Sequence, residues 1–304
     1  MSFKSRSEPA EIMILRSLNN RMILAEKDKK RYYTLEKGYE GELMFDALTE
    51  KLQSHSLILN DLRLESNKSK FQLDSSIVFQ AKINLFEVKN YEGDYYYENG
   101  KFYTLFKKEI QNPLHQLERE ETLLREVLLN IGIKIPIESY VVFINPAFFL
   151  YQAPLNKPII YSNQLPLFMK NLNMQPSNLN TWHMKLAETL VSLHQTELPY
   201  DRLPPYEYGR LRKGTTCKRC NSFSVSVKGY KIVCGKCGFE EEVASAVIRG
   251  VEEINLLFPN IKITTNLVHE WCKIFESRKA TRRILKQNYC FVGKKEFGFT
   301  HLND

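Results

Sequence analysis

The sequence predicts an α/β protein: a mixed sheet flanked by helices, then a small β-rich module and a helical tail. Three observations predict it. Short β-prone runs alternate with helical periodicities through the first two thirds of the chain. Four of the six cysteines gather as two CxxC pairs, and the whole net positive charge lies in the last hundred residues. A chain of 304 residues suits two or three domains, and a hydrophobic share of 43% can bury a sizeable core.

Residues 9–20 and 36–53 read as helices; in the second, Leu43, Ala47, Leu48 and Leu52 recur at helical spacing. Strand-like runs follow at Ser56 to Leu62, Lys70 to Phe79 and Asn84 to Lys89. In GDYYYENGKFYTL, Asn99-Gly100 sits between two aromatic runs, the signal of a hairpin with a type I′ turn. Pro113 opens a helix to about Asn130. SYVVFINP and FFLYQ read as buried strands, and Thr181 to His194 as a helix. Leu198 to Tyr208, rich in Pro and Tyr, reads as a linker. The expected division is residues 1–200 as a first domain with its core at about 36–150, 210–243 as a metal ribbon, and 244–304 as a basic helical tail.

Residues 1–204 hold 25 basic and 25 acidic side chains, while 205–304 hold 18 and 10, so the excess of +8 belongs to the back of the chain. A neutral front and a basic back suit a catalytic or scaffold part followed by a polyanion-binding part; a solvated charged face is the plainer alternative. No apolar run approaches the length of a transmembrane helix. The N-terminal basic residues have no apolar core behind them, so no signal peptide is expected and the expected address is cytoplasmic.

The densest chemistry lies between Gly38 and Lys89. GYEGE places Glu42 on a helix, QLDSSIVF carries Asp74 in a β-prone stretch, and NLFEVKN carries Glu87 and Lys89 two apart. On a strand, residues i and i+2 share a face, so Glu87 and Lys89 project together while Phe86 and Val88 enter the core. Two carboxylates can hold a hard divalent cation, and a lysine beside it can act on a water or a developing charge. The same ExK pair is also an ordinary strand ion pair worth about 0–1 kcal/mol.

In order and spacing, GYEGE, LND, QLDSSIVF and LFEVKNYEG, with the later NPLHQL, resemble the nuclease-related domain family of the PD-(D/E)xK, restriction-endonuclease-like superfamily. The likeness covers about residues 36–150. It implies a restriction-endonuclease-like core and metal-dependent phosphodiester hydrolysis, with DNA the expected nucleic acid and a bacterial defence or DNA-processing setting. It matches the family pattern at Gly38, Gly41 and Glu42, at the metal acids Asp74 and Glu87, at Lys89, and at Pro113 and Gln116. One departure is that Gln72-Leu73 leads into Asp74 where the family often has an acidic residue first. The resemblance implies Mg²⁺ or Mn²⁺ held by Asp74 and Glu87 with the Val88 carbonyl. It also implies Lys89 acting on the attacking water or the phosphate, Glu42 at a second metal position or outside the ligands, and Gln116 orienting water or a phosphate oxygen. His115 reads as a surface histidine, and Tyr95, Tyr96 and Tyr97 as hairpin packing rather than a base-stacking platform.

Cys217 and Cys220, then Cys234 and Cys237 after thirteen residues, have the spacing of a closed Cys₄ zinc ribbon. With all four positions filled by protein, its zinc is expected to be structural. Lys218 and Arg219 in the first knuckle, with Lys228, Lys231 and Lys236, tilt the ribbon toward nucleic acid. In the tail, ITTNLVHEWCKIF and SRKATRRILKQN read as helices capped by Thr264 or Thr265 and by Ser277. The second carries Arg278, Lys279, Arg282, Arg283 and Lys286. With CFVGKKEFGF as a hairpin, the tail resembles a winged-helix module; a basic helix that only packs on its neighbours is the alternative. Cys272 and Cys290 are expected to be buried thiols. Two rival functions stay open: a non-catalytic nucleic-acid-binding protein on a nuclease-like fold, and an adaptor whose ribbon binds a helicase or other DNA-processing partner.

Overall fold

The computed structural model describes residues 2–196, 202–292 and 298–301, with side chains through Cys290. Two compact units emerge. One comprises Met1–Glu8 and Tyr33–Leu198, the other Pro9–Tyr32 and Pro199–Asp304. Helix α1 (Ala10–Arg21) lies in the second unit, and α2 (Glu26–Thr49) begins there and runs on into the first. The first unit continues with β1 (Leu57–Ser66), β2 (Ser69–Val78), β3 (Ile83–Lys89), β4 (Gly93–Glu98), β5 (Lys101–Thr104), β6 (Glu109–Ile110), α3 (Pro113–Asn130), β7 (Ile137–Phe143), β8 (Phe148–Tyr151), β9 (Ile159–Tyr161), α4 (Leu165–Asn173) and α5 (Thr181–Ser192). The second unit resumes with β10 (Val225–Lys228), β11 (Lys231–Cys234), β12 (Glu240–Glu242), α6 (Val243–Leu257), α7 (Thr265–Cys272), α8 (Arg278–Asn288), β13 (Tyr289–Val292) and β14 (Gly298–His301).

The main sheet of the first unit is mixed, in the order β1-β2-β3-β7-β9. Its first three strands are antiparallel, and β3, β7 and β9 run parallel. Both faces are covered. Phe45 of α2 and Leu165 and Leu172 of α4 join Phe86, Val88 and Val142 on one side. Leu117 and Leu124 of α3 and Leu186 and Leu190 of α5 join Leu59, Leu85 and Phe143 on the other. β1, β2 and β3 are therefore buried along most of their length, as strands covered on both faces must be. A second sheet, β6-β5-β4-β8, carries the aromatic hairpin. Asn99 and Gly100 both take positive φ, 49° and 81°, the I′ geometry expected there. Tyr96 stacks on Tyr103 and Tyr97 packs edge-on to Phe102, so the tyrosines do pack the hairpin.

One irregularity shapes the site. Leu57 and Leu59 face the same core as Leu62 and Leu64, so β1 changes sides near Asp61, whose φ is +52°. Opposite it, Val78 shares that core with Leu73 and Phe71, so β2 changes sides too, at Asp74. The two shifts cancel: Asn60 pairs with Ser75 and Leu62 with Leu73, in one register. A matched kink thus sets Asp74 out of the regular alternation without slipping the strands.

The structure departs from the sequence expectations in several elements. β1 runs on to Ser66 and turns at Asn67-Lys68 (φ 48° and 63°), an I′ turn without glycine. α2 starts ten residues before the expected position 36, because KDKKRYYTLEK is too polar to show an apolar stripe. β9 and α4 are additions to the expected elements; the first is only three residues long. α1 packs in the second unit, although the sequence groups it with residues 1–200.

That packing is specific. Arg21 of α1 donates from Nε to Glu253 Oε1 (2.8 Å) and from Nη2 to Oε2 (2.6 Å). It also reaches the carbonyls of Arg212 and Gly214 and lies 4.1 Å from the Trp271 ring centroid. Ser17 and the Trp271 indole complete the shell around Glu253. Burial pushes the Glu253 carboxyl up, but Arg21, Ser17 and Trp271 outweigh it and hold it below the usual carboxylate range. Thr264 and Ser277 cap α7 and α8 as expected. β13 pairs antiparallel with β14, and the turn of that expected hairpin, 293–297, lies outside the described residues. Cys272 is buried, its Sγ filling the space over Gly250. Cys290 is exposed, contrary to expectation: its strand neighbour Tyr289 takes the buried face. No helix among the described residues is long and apolar enough to cross a membrane.

Candidate active site and metal centre

The β2–β3 ladder stops at Ser75 and Phe86. Beyond it the Val88 N–H donates to Asp74 Oδ2 (2.8 Å), so a carboxylate replaces a backbone carbonyl and the strands part. Glu87 and Lys89 follow on the face toward α3, with Phe86 and Val88 in the opposite core, as the alternation requires. Lys89 Nζ pairs with Glu87 Oε1 and donates to Gln116 Oε1 (3.0 Å). Gln116 Nε2 in turn donates to Glu120 Oε1 (2.9 Å), one helical turn along α3. The structure therefore brings Asp74, Glu87, Lys89 and Gln116 together and adds Glu120. His115, one residue away, faces solvent.

Glu87 is 1% exposed, Glu120 4% and Asp74 8%. Burial, then the charge of Asp74, pushes Glu87 well above the usual carboxylate range. Burial likewise raises Asp74, against the pull of Lys89 and the Val88 N–H, and raises Glu120 to about 7. Burial opposes the charge on Lys89, yet Glu87 and Asp74 outweigh it and hold the ammonium more firmly than usual. Glu87 Oε2 and Glu120 Oε2 are buried with no hydrogen-bond donor among the described residues. Such orphaned acceptors are costly unless a cation or proton meets them. An oxygen-only donor set with an unmet buried carboxylate oxygen fits a hard divalent cation such as Mg²⁺ or Mn²⁺.

Glu42 is held differently. Arg6, its side chain 2% exposed, donates to Glu42 Oε2 (2.5 Å), to both carboxylate oxygens of Asp46, and to the Asp74 carbonyl (2.6 Å). Burial and then Asp74 push Glu42 up to about 8 against that pull. Gly41 explains why the helix comes so near: a Cβ there would lie 2.5 Å from Asn90 Cβ, just past the ExK strand, whereas Gly38 has open space. Asn90 fixes the approach by donating to the Lys37 carbonyl (2.7 Å). Sequence reasoning misses Arg6, Asp46 and Glu120. The spacing Glu42–Asp46 and Gln116–Glu120, four residues along one helix, is a usable signal for two of them; nothing local marks Arg6.

In the second unit Cys217 Sγ lies 3.7 Å from Cys237 Sγ, and Cys220 Sγ lies 3.6 Å from Cys234 Sγ. All four sulfurs fall within 4.8 Å of one another, and among the described residues this is the one set of ligands drawn so tight. The Arg219 and Lys236 N–H groups donate to Cys217 and Cys234 sulfurs, the inward-turned amides of two knuckles. β10, β11 and β12 form the three-stranded ribbon, with Gly229 at φ +62° in its turn. The donor set fits zinc, which prefers thiolates in a closed tetrahedron. Lys218, Arg219, Arg278, Lys279, Arg282, Arg283 and Lys286 are all exposed, on the first knuckle and on α8.

Residues 37–144 match the family model of the nuclease-related domain, and the chain carries that domain over this span. No curated protein and no solved structure matches the chain.

Proposed function

We propose that this chain, through its nuclease-related domain, is a divalent-metal-dependent nuclease that hydrolyses phosphodiester bonds in DNA. The observation that carries the reading is the buried group of Asp74, Glu87 and Lys89 with an unmet oxygen on Glu87. Asp74 and Glu87 would hold the cation, with the Val88 carbonyl as a third oxygen; when bound, it supplies polarisation of a phosphoryl oxygen and a more acidic water. Lys89, held charged, stabilises negative charge developing on the phosphate and positions the attacking water. Gln116 fixes Lys89 by accepting its N–H bond and by donating to Glu120. Glu42, neutralised by Arg6, supports the Asp74 strand rather than a second metal position. The zinc is structural, and the knuckle residues and α8 dock the polyanion through its phosphates.

The test is cleavage of linear, circular and single-stranded DNA with and without Mg²⁺ or Mn²⁺, with Lys89→Ala as control. Cleavage that requires the metal and falls by more than about 10²-fold in Asp74→Ala, Glu87→Ala and Lys89→Ala is expected. Undiminished cleavage by Glu87→Ala removes the assignment.

A further inference from the structure

Four side chains close a ring: Glu87 to Lys89, Lys89 to Gln116, Gln116 to Glu120, and the Glu120 carboxyl back against that of Glu87. Each acid spends one oxygen inside the ring. The other oxygens, Glu87 Oε2 and Glu120 Oε2, are both buried and lack a donor among the described residues. Two buried carboxyls that face each other with an unmet oxygen apiece need a cation between them or a shared proton. Lys89 already serves the far oxygen of Glu87, and Arg6 is engaged at Glu42 and Asp46. We infer that Glu120 is a third carboxylate for the divalent cation, bound with Asp74 and Glu87. This rests on the metal-dependent reading above and deepens it. Its position on α3 gives the helix a direct part in the site and not only a packing role, since Leu117 and Leu124 of that helix already fill the core. Gln116 is then the positioning residue that keeps Glu120 and Lys89 at their posts.

The experiment is Mn²⁺ binding to the full-length, zinc-loaded protein, followed by calorimetry and by the paramagnetic resonance of free Mn²⁺. Wild type, Glu87→Gln, Glu120→Gln and Glu120→Asp are compared. Wild type should show a site that Glu87→Gln abolishes. Glu120→Gln should weaken that site by more than the roughly 10–100-fold that losing an outer-shell partner costs, and Glu120→Asp should recover part of it. If Glu120→Gln binds Mn²⁺ as tightly as wild type while Glu87→Gln does not bind, Glu120 is no ligand and the nuclease reading stands. If wild type has no Glu87-dependent site, both fall. Should Glu120→Gln fail to fold, Glu120→Asp carries the comparison: unchanged affinity on shortening the side chain by one carbon overturns the assignment.

Discussion

Glu253 in one unit and Glu87 in the other are both buried carboxylates beside a cationic side chain, and their environments push them in opposite directions. Glu253 has every oxygen met, by Arg21, Ser17 and the Trp271 indole, and stays below the usual range. Glu87 has one oxygen on Lys89 and one that no described donor meets, with Asp74 and Glu120 adding like charge, and rises well above it. Burial alone does not separate a structural acid from a working one. On the proposed function the hydrogen-bond shell does: it is closed at Glu253, a tie, and open at Glu87, which would take the cation.

The largest effect expected from testing this contrast comes from a third set, the four clustered cysteines, two of them buried, which lie close enough together to hold a metal. Metal analysis should give one zinc per chain. Cys217→Ser should unfold the ribbon, since apparent zinc binding in such sites is worth roughly 10–16 kcal/mol of folding; a protein with no zinc and an unaltered melt refutes the site. Next, Glu253→Gln leaves Arg21 buried against a neutral amide, and should cost about 3–5 kcal/mol in the second unit. Glu87→Gln should leave the metal-free melting temperature unchanged or raised. Equal losses in the two variants would break the comparison.

The pH dependence of Glu253 follows from its direction. Its folded value lies below the unfolded one of about 4.3. Its contribution is therefore fully present above about pH 4.3 and is lost as pH falls through the lowered folded value. The gap in melting temperature between wild type and Glu253→Gln should be widest near neutrality and shrink below that pH; a gap that widens in acid contradicts the assignment. Smaller still, Gly41→Ala should cost about 1–3 kcal/mol, because its Cβ has no room against Asn90. Gly38→Ala, in open space within the same helix, should gain about 0.5–1 kcal/mol. A chemical denaturation series on both decides it. The mildest change is in DNA binding: replacing Arg282, Arg283 and Lys286 with alanine should flatten the logarithmic salt slope by about one unit for each phosphate left without its cation. An unchanged slope would mean that α8 is only a solvated face.

What could be read in advance follows from how far apart the partners lie in the chain. The four clustered cysteines sit in two tetrapeptides, and Glu87 and Lys89 on one strand, so period and spacing reveal them. The turn at Asn99-Gly100 is equally local. Glu120 needs only the helical repeat from Gln116. Arg6, by contrast, meets Glu42, Asp46 and the carbonyl of Asp74, partners 36 to 68 positions away, and no local pattern encodes such a meeting. The matched kink at Asp61 and Asp74 is hidden for the same reason: each strand alone looks like a broken alternation, and only their pairing shows that the breaks compensate.

The placement of α1 in the second unit has a consequence for how the chain is made. Arg21 waits for Glu253, which lies 232 positions later. At about 5–20 residues per second, a ribosome takes on the order of ten to fifty seconds to deliver it. Throughout that interval Ile14 and Leu18, destined to lie against α6, have no α6 to meet, while the β1–β3 meander can already assemble. Nascent chains stalled before residue 243 should therefore show α1 open to protease and to chaperones, and cutting the gene after residue 200 should yield a nuclease-related domain trailing an unsatisfied helix rather than a clean domain.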